Sequence, residues 1–140
     1  MMIMNFERGQ IYYVHFPYTF DVNFPKGKKK FVVVLQEGSI FKDYDAVTVL
    51  LITSDPESKD FETNVTIKLG STKLDKESYI VCAQPYTILK SLFEQEGSWF
   101  AGKLDKKVLD DIDTRLYIGL CMGIQDEVAE NPDSEDEETA

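Results

Sequence analysis

The sequence predicts a mainly β domain that ends in one helix, built as a small barrel or twisted sheet with the helix closing one side. Short runs of β-branched and aromatic residues alternate with segments rich in Gly, Pro and Asp, which is typical of strands separated by turns. From Leu104 onward, apolar residues instead recur at helical spacing. With 140 residues, of which 43% are hydrophobic, the chain is long enough for one domain with a core and too short for two.

Three strands are predicted in the first half of the chain. The first covers residues 11–16, IYYVHF, and ends before Pro17. Residues 18–30 contain Pro, Gly and several lysines and indicate a long loop. Residues 31–36, FVVVLQ, form an apolar run too short for a helix, and residues 46–53, AVTVLLIT, form a β-branched run that ends at a turn-forming segment.

The second half contains two further strands and the helix. Residues 63–69 alternate apolar and polar side chains, as in a half-exposed strand. Residues 80–90, IVCAQPYTILK, indicate a strand interrupted by Gln-Pro, and residues 91–104 indicate a short helix or loop. Asp105 is a plausible N-cap for the helix, whose apolar spacing continues to Ile124.

Charge divides the chain into two parts. The net charge is −10, but residues 126–140 hold eight acidic residues and no Lys or Arg, which leaves 17 acidic and 15 basic residues in 1–125. We therefore expect a nearly neutral domain over 1–125 and a disordered acidic tail over 126–140, which either solubilises the protein or covers its lysine-rich loop. Without an apolar run of membrane length or a signal-peptide pattern, a cytoplasmic protein with no membrane partner is expected.

Few residues are suited to catalysis or metal binding. His15 is the one histidine and a candidate for proton transfer, although a lone histidine is more often structural. Cys82 and Cys121 lie in apolar segments and are expected to be reduced core residues. One His and two distant Cys make no metal-ligand set, and no phosphate-binding glycine loop is present, so no cofactor is expected.

The basic loop is a candidate nucleic-acid surface. Four lysines stand close together after the aromatic residue Phe24: Lys26, Lys28, Lys29 and Lys30. Lysines neutralise phosphates and aromatic rings stack on bases, so the pattern is compatible with single-stranded nucleic acid. An ordinary solvated loop is the alternative.

Five segments in sequence order resemble one family. They are RGQIY at 8–12, KFVVVLQ at 30–36, VLLITS at 49–54, CAQPYTI at 82–88 and LDKKVLDDIDTRLYIGL at 104–120. Together they are similar to the MazF/PemK-type toxins of bacterial toxin–antitoxin systems. The resemblance implies an SH3-like barrel, a homodimer, and cleavage of single-stranded RNA without metal through attack of the 2′-hydroxyl. It also implies an antitoxin partner whose acidic C-terminal segment lies across the RNA site.

The resemblance implies a reduced set of site residues. Lys30 stands where the family has Arg, and Thr53 matches the family's catalytic Thr. The family's acidic residue before Gln-Pro is Ala83 here, and the Arg after it is Tyr86. His15 is then a candidate to take over proton transfer, and activity is expected to be weak.

RNA binding is expected from one further group of residues, which are Lys26, Lys28, Lys29, Phe24, Gln84 and Tyr86. Two other interpretations remain open at this point. One is a catalytically inactive barrel that binds nucleic acid or protein, and the other is a protein–protein adaptor without any link to nucleic acid.

Overall fold

The computed structural model describes residues 5–17, 23, 27–68, 70 and 72–123. These residues form seven strands and one α-helix, which are β1 Gln10–Phe16, β2 Lys28–Val34, β3 Ala46–Thr53, β4 Asn64–Ile67, β5 Ser78–Val81, β6 Tyr86–Leu89, β7 Trp99–Lys103 and α1 Lys106–Gly119. Two short 3-10 helices, Pro56–Asp60 and Lys90–Glu94, follow β3 and β6. The mainly β fold with a C-terminal helix is confirmed. None of the described helices is long and apolar enough to cross a membrane.

The strands form one antiparallel sheet in the order β4-β5-β3-β2-β1-β7. Strand β3 carries a different neighbour at each end of the same edge. Ile52 and Thr53 pair with β5, whereas residues 46–49 pair with β6. The interruption at Gln-Pro therefore separates two strands that follow one another along β3.

The sheet separates two apolar cores because side chains alternate between its faces. The first core contains Ile11, Val33 and Leu50 and is closed by Ile112 of α1. The second core lies on the opposite face and consists of aromatic and aliphatic residues. These include Phe6, Tyr12, Val14, Phe16, Val32, Val34, Val49 and Phe93. Alternate residues of IYYVHF thus supply both cores, with Ile11 in one and Tyr12, Val14 and Phe16 in the other.

Helix α1 begins where the sequence predicts. The Asp105 carboxylate accepts a hydrogen bond from the Val108 N–H at 3.0 Å, which satisfies one of the free donors of the first turn. The helix ends at Gly119 rather than near Ile124, and Cys121 follows in a left-handed conformation (φ 59°). Cys121 is therefore exposed, so its expected core position is wrong, whereas Cys82 is fully buried as expected.

The end of α1 packs closely against the connection between β5 and β6. A Cβ atom at Gly119 would lie only 3.0 Å from the Cα of Ala83, which is closer than ordinary van der Waals contact. A glycine at this helix position thus permits the close approach of the two backbones.

Candidate functional site

Lys30 and Thr53 lie on neighbouring strands at the same end of the sheet. Strands β2 and β3 pair with Phe31 opposite Ile52, and one further step in this register places Lys30 opposite Thr53. Lys30 is two residues from Val32, and Thr53 two from Leu51, so both side chains lie on the face of the second core. The two predicted catalytic residues thus share one face.

Lys30 occupies a partly desolvated position. Burial lowers the pKa of its ammonium group, and the positive charge of Lys28, two residues away on the same face, lowers it further. A cation that is poorly solvated by water interacts more strongly with an approaching anion. It also gives up its proton more readily than an exposed lysine.

Thr53 is oriented by the turn that follows it. Its hydroxyl oxygen accepts a hydrogen bond from the Asp55 N–H at 3.2 Å. Asp55 in turn caps the next 3-10 helix by accepting from the Glu57 N–H at 3.0 Å. With its oxygen held in this way, the Thr53 hydroxyl can donate its hydrogen to a ligand above the strand end.

His15 and Lys29 lie on the opposite face from Lys30. They are partners in the β1–β2 register, and His15 lies on the same face of β1 as Tyr13 and as Ile11, which belongs to the first core. The imidazole lies close to Gly27, because a Cβ there would be 3.1 Å from the His15 Nε2. The structure therefore does not place the His15 side chain on the same face as Lys30 and Thr53.

The other predicted binding residues are dispersed. Tyr86 begins β6 and makes an edge contact with Phe16, with ring centroids 5.1 Å apart. Because Phe16 is the register partner of Lys28, Tyr86 lies on the Lys30 side of the sheet. Gln84 is exposed in the β5–β6 connection.

Lys28 and Lys29 are exposed at the start of β2, which begins three residues earlier than predicted. Phe24 and Lys26 fall outside the described residues.

A row of aromatic residues next to this site was not predicted from the sequence. Tyr13 pairs with Phe31 of β2 on one side and with Trp99 of β7 on the other. All three rings contact one another on the His15 face. The one sequence signal for this row was that Tyr13 and His15, two residues apart in a predicted strand, share a face. Trp99 lies in a segment that was expected to be a helix or loop.

A cleft of about 190 Å³ extends from this row to the connection between β4 and β5. Its lining residues are Tyr13, Lys29, Lys30, Phe31, Ile52, Ser54, Leu74, Asp75, Lys76 and Ser78. A larger cleft of about 570 Å³ lies between β4 and α1 and includes neither Lys30 nor Thr53 among its lining residues. The described residues contain no group of three or more His, Cys, Asp or Glu side chains that could hold a metal ion.

Comparisons with known proteins agree on the fold. The family model of PemK-like, MazF-like toxins of type II toxin–antitoxin systems matches residues 7–120. No curated protein matches the chain.

Among solved structures, MazF from Deinococcus radiodurans is similar with a TM-score of 0.64 and 13% identity, covering 85% of this chain and 99% of that one. An endoribonuclease from a mycobacterial species is similar with a TM-score of 0.62 and 16% identity, covering 86% and 95%. An endoribonuclease from a mycobacterial species in complex with its cognate antitoxin is similar with a TM-score of 0.61 and 16% identity, covering 82% of this chain and 94% of that one. At these identities the likeness concerns the fold.

Proposed function

Because the chain belongs to the family of PemK-like, MazF-like toxins, we propose that it is an endoribonuclease that cleaves single-stranded RNA at the strand end carrying Lys30 and Thr53. The observation that supports this proposal most directly is the arrangement of these two side chains on one sheet face, opposite each other on adjacent strands. A cation and a hydroxyl donor in this arrangement can both contact one phosphate.

The reaction requires no group beyond RNA, water and protein side chains. The 2′-hydroxyl oxygen forms a bond to the adjacent phosphorus, the bond from phosphorus to the 5′-oxygen breaks, and the products carry a 2′,3′-cyclic phosphate and a 5′-hydroxyl. Lys30 stabilises the negative charge that develops on the phosphoryl oxygens, and Thr53 donates a hydrogen bond to one of them. The lowered pKa of Lys30 reflects a partly desolvated cation, which stabilises such charge more strongly.

Proton transfer is the weak part of this site. Ala83 and Tyr86 carry no carboxylate or guanidinium where the resemblance implies them, and His15 is on the other face. Loss of one general acid or base reduces a rate by about 10²–10⁴-fold. We therefore expect slow cleavage, in which water accepts the 2′-hydroxyl proton and donates a proton to the leaving 5′-oxygen, while Lys30 stays protonated.

The same residues favour one alternative, an inactive barrel that binds RNA. Ala83 contacts Gly119 and Tyr86 contacts Phe16, so both positions serve packing within this chain. In this alternative, Lys28, Lys29 and Lys30 bind phosphates without cleaving the chain.

Homodimerisation, an antitoxin partner and a cytoplasmic location also belong to this proposal. The second half of α1 and the residues after it expose apolar side chains, namely Tyr117, Ile118, Leu120 and Met122. Neighbouring exposed apolar side chains commonly mark a protein–protein interface. The related complex pairs an endoribonuclease with its antitoxin, and an acidic partner segment would complement the lysines of β2 in this chain.

The decisive experiment is incubation of the purified protein with a long single-stranded RNA in EDTA, followed by mapping of the cut ends. Cuts ending in 2′,3′-cyclic phosphate, lost in Lys30→Ala and Thr53→Val, support the nuclease. Lys42→Ala and Thr66→Val, at exposed positions elsewhere, are the matched controls. Intact RNA that still binds the protein, with loss of binding in Lys30→Ala, would establish the inactive alternative.

A further inference from the structure

We propose that the aromatic row of Tyr13, Phe31 and Trp99 is a stacking site for one unpaired RNA base, whose flanking phosphates contact Lys29 and Lys76. This inference rests on the proposed function, because it assigns to the same substrate a second contact on the other sheet face. It names residues of this chain that the predicted site did not include.

The row is built by the register of three adjacent strands. Tyr13 lies between Phe31 and Trp99, its partners on β2 and β7. The ring centroids are 4.6 Å apart for Tyr13 and Phe31, 5.7 Å for Tyr13 and Trp99, and 5.5 Å for Phe31 and Trp99. Rings that contact one another on three neighbouring strands have little freedom to reorient and so form a preorganised surface.

Exposure makes this surface available to a ligand. Trp99 is 42% exposed, and Tyr13 and Phe31 are half-buried, whereas Ile11 and Val33, two residues further along the same face, are completely buried. Helix α1 therefore closes the core under one part of the face and leaves the aromatic part accessible. Solvent-exposed aromatic faces are the surfaces on which single-stranded bases stack.

The surroundings of the row are cationic. The ammonium group of Lys29 lies beside Gly97, only 2.7 Å from where a Cβ atom would be, and thus close to the start of β7. Lys76 and Asp75, from the connection between β4 and β5, also line the cleft of about 190 Å³. Two exposed lysines therefore flank the rings together with one carboxylate, which favours an anionic ligand.

This combination of rings and cations fits a nucleotide better than an apolar peptide. Stacking uses the face of the base, and the lysines use its phosphates. Since every base has such a face, the site is expected to increase affinity without selecting the sequence that is cut.

The aromatic row lies close enough to Lys30 in the sequence of β2 for one RNA chain to contact both the row and the proposed catalytic residues. Lys29 and Lys30 are consecutive residues of β2 and point to opposite faces. An RNA strand that crosses the end of β2 can therefore place one base on the aromatic row and a neighbouring phosphate at Lys30. The row then acts by positioning, so its removal should raise KM and leave kcat nearly unchanged.

Trp99 is the single tryptophan of the chain and reports directly on the site. We expect a short 2′-O-methyl oligonucleotide, which cannot undergo 2′-hydroxyl attack, to quench Trp99 fluorescence on titration. An abasic sugar–phosphate chain of the same length should bind with little quenching, because it lacks the stacking group. Equal quenching by both, or none by either, would overturn the proposal.

Substitutions then test the energetics. Trp99→Leu and Tyr13→Leu keep apolar volume but remove the ring, so oligonucleotide affinity measured by anisotropy should fall about fivefold or more, and Trp99→Phe should recover part of it. Phe61→Leu is the matched control, since Phe61 is 63% exposed outside the row. Melting temperatures show whether each variant is folded.

The outcomes separate this inference from the proposed function. Cleavage lost in Lys30→Ala, with affinity and KM unchanged in Trp99→Leu and Tyr13→Leu, would refute the stacking site and retain the nuclease. Quenching of Trp99 in the wild-type protein and weakened binding in these variants, with no cleavage by the wild-type protein, would retain the stacking site and refute the nuclease.

Discussion

Two regions that the family resemblance assigns to one active site differ in the chemical character of their side chains. At the ends of β2 and β3, Lys30 and Thr53 retain a cation and a hydroxyl on one face. In the β5–β6 connection, Ala83 and Tyr86 have apolar or aromatic contacts instead, with Gly119 and Phe16. The difference teaches that one of the two regions presents polar groups to a ligand, whereas the other uses its side chains for packing. The following predictions test that division, beginning with the largest expected effect.

Replacing Lys30 should have the largest effect. We expect Lys30→Ala to reduce the cleavage rate by about 10²–10³-fold, as for removal of one donor to a developing anion, because Lys30 is the cation proposed to contact the reacting phosphate. Lys30→Arg should retain part of the activity, since the charge is kept. The measurement is the single-turnover rate on a defined oligonucleotide, and an unchanged rate in Lys30→Ala would move the active centre elsewhere.

The pH dependence of cleavage should reveal the environment of Lys30. Its pKa in the folded protein is lowered from the ordinary 10.5 by burial and by Lys28, so the cation is lost at a lower pH than for an exposed lysine. Below that pKa the charged form is present but disfavoured in the folded state, and this penalty to stability decreases as pH rises from the lowered pKa to the ordinary 10.5. We expect the rate to fall by about tenfold per pH unit above it. In Lys30→Arg the alkaline fall should vanish, and its persistence would assign the titration to another group.

Substitutions at the contact between the β5–β6 connection and α1 should change the free energy of unfolding rather than the cleavage rate. Gly119→Val places a side chain against the Ala83 backbone and should lower the free energy of unfolding by about 1–3 kcal/mol, as in other overpacked contacts. Chemical denaturation measures this change, and Thr114→Val on the exposed side of α1 is the control.

The double variant Gly119→Ala with Ala83→Gly should lose less free energy of unfolding than the sum of the two single variants, because the two positions are in contact. Strict additivity would show that they do not interact.

The smallest expected effect concerns the reactivity of the two thiols, which tests how tightly the β5–β6 connection is packed. Cys82, directly before Ala83, is fully buried, and burial together with the charge of Asp111 raises its pKa to about 12. At pH 8 its reactive thiolate is therefore scarce, whereas Cys121 is exposed. Iodoacetamide should add a single label to the folded protein, located by peptide mass spectrometry at Cys121, and a second label only after unfolding. Rapid labelling of Cys82 would show that the connection opens.

The sequence predicted much of the fold because most elements carry local signals. Asp105 was identified as the helix N-cap, and the apolar strand β3 was placed at its exact bounds. Strand β7 was missed because its residues, WFAGK, are given strand structure by pairing with β1 rather than by their own pattern. The early start of β2 has the same cause, since Lys28 and Lys29 pair with residues of β1.

The candidate site was less accessible to sequence reasoning. Lys30 and Thr53 came from a family resemblance, and their common face follows only from the β2–β3 register. The row of Tyr13, Phe31 and Trp99 combines residues from three strands, one of them not predicted, so no local pattern could indicate it.

The two partners of β3 on a single edge have a consequence for local opening. This strand is bonded to β2 along one side and to both β5 and β6 along the other, so separating it breaks three ladders together. Its central amide groups should therefore exchange with deuterium only through global unfolding, and more slowly than those of the outer strand β4. Thr53, at the end of β3, is thus anchored to the part of the molecule that opens least often.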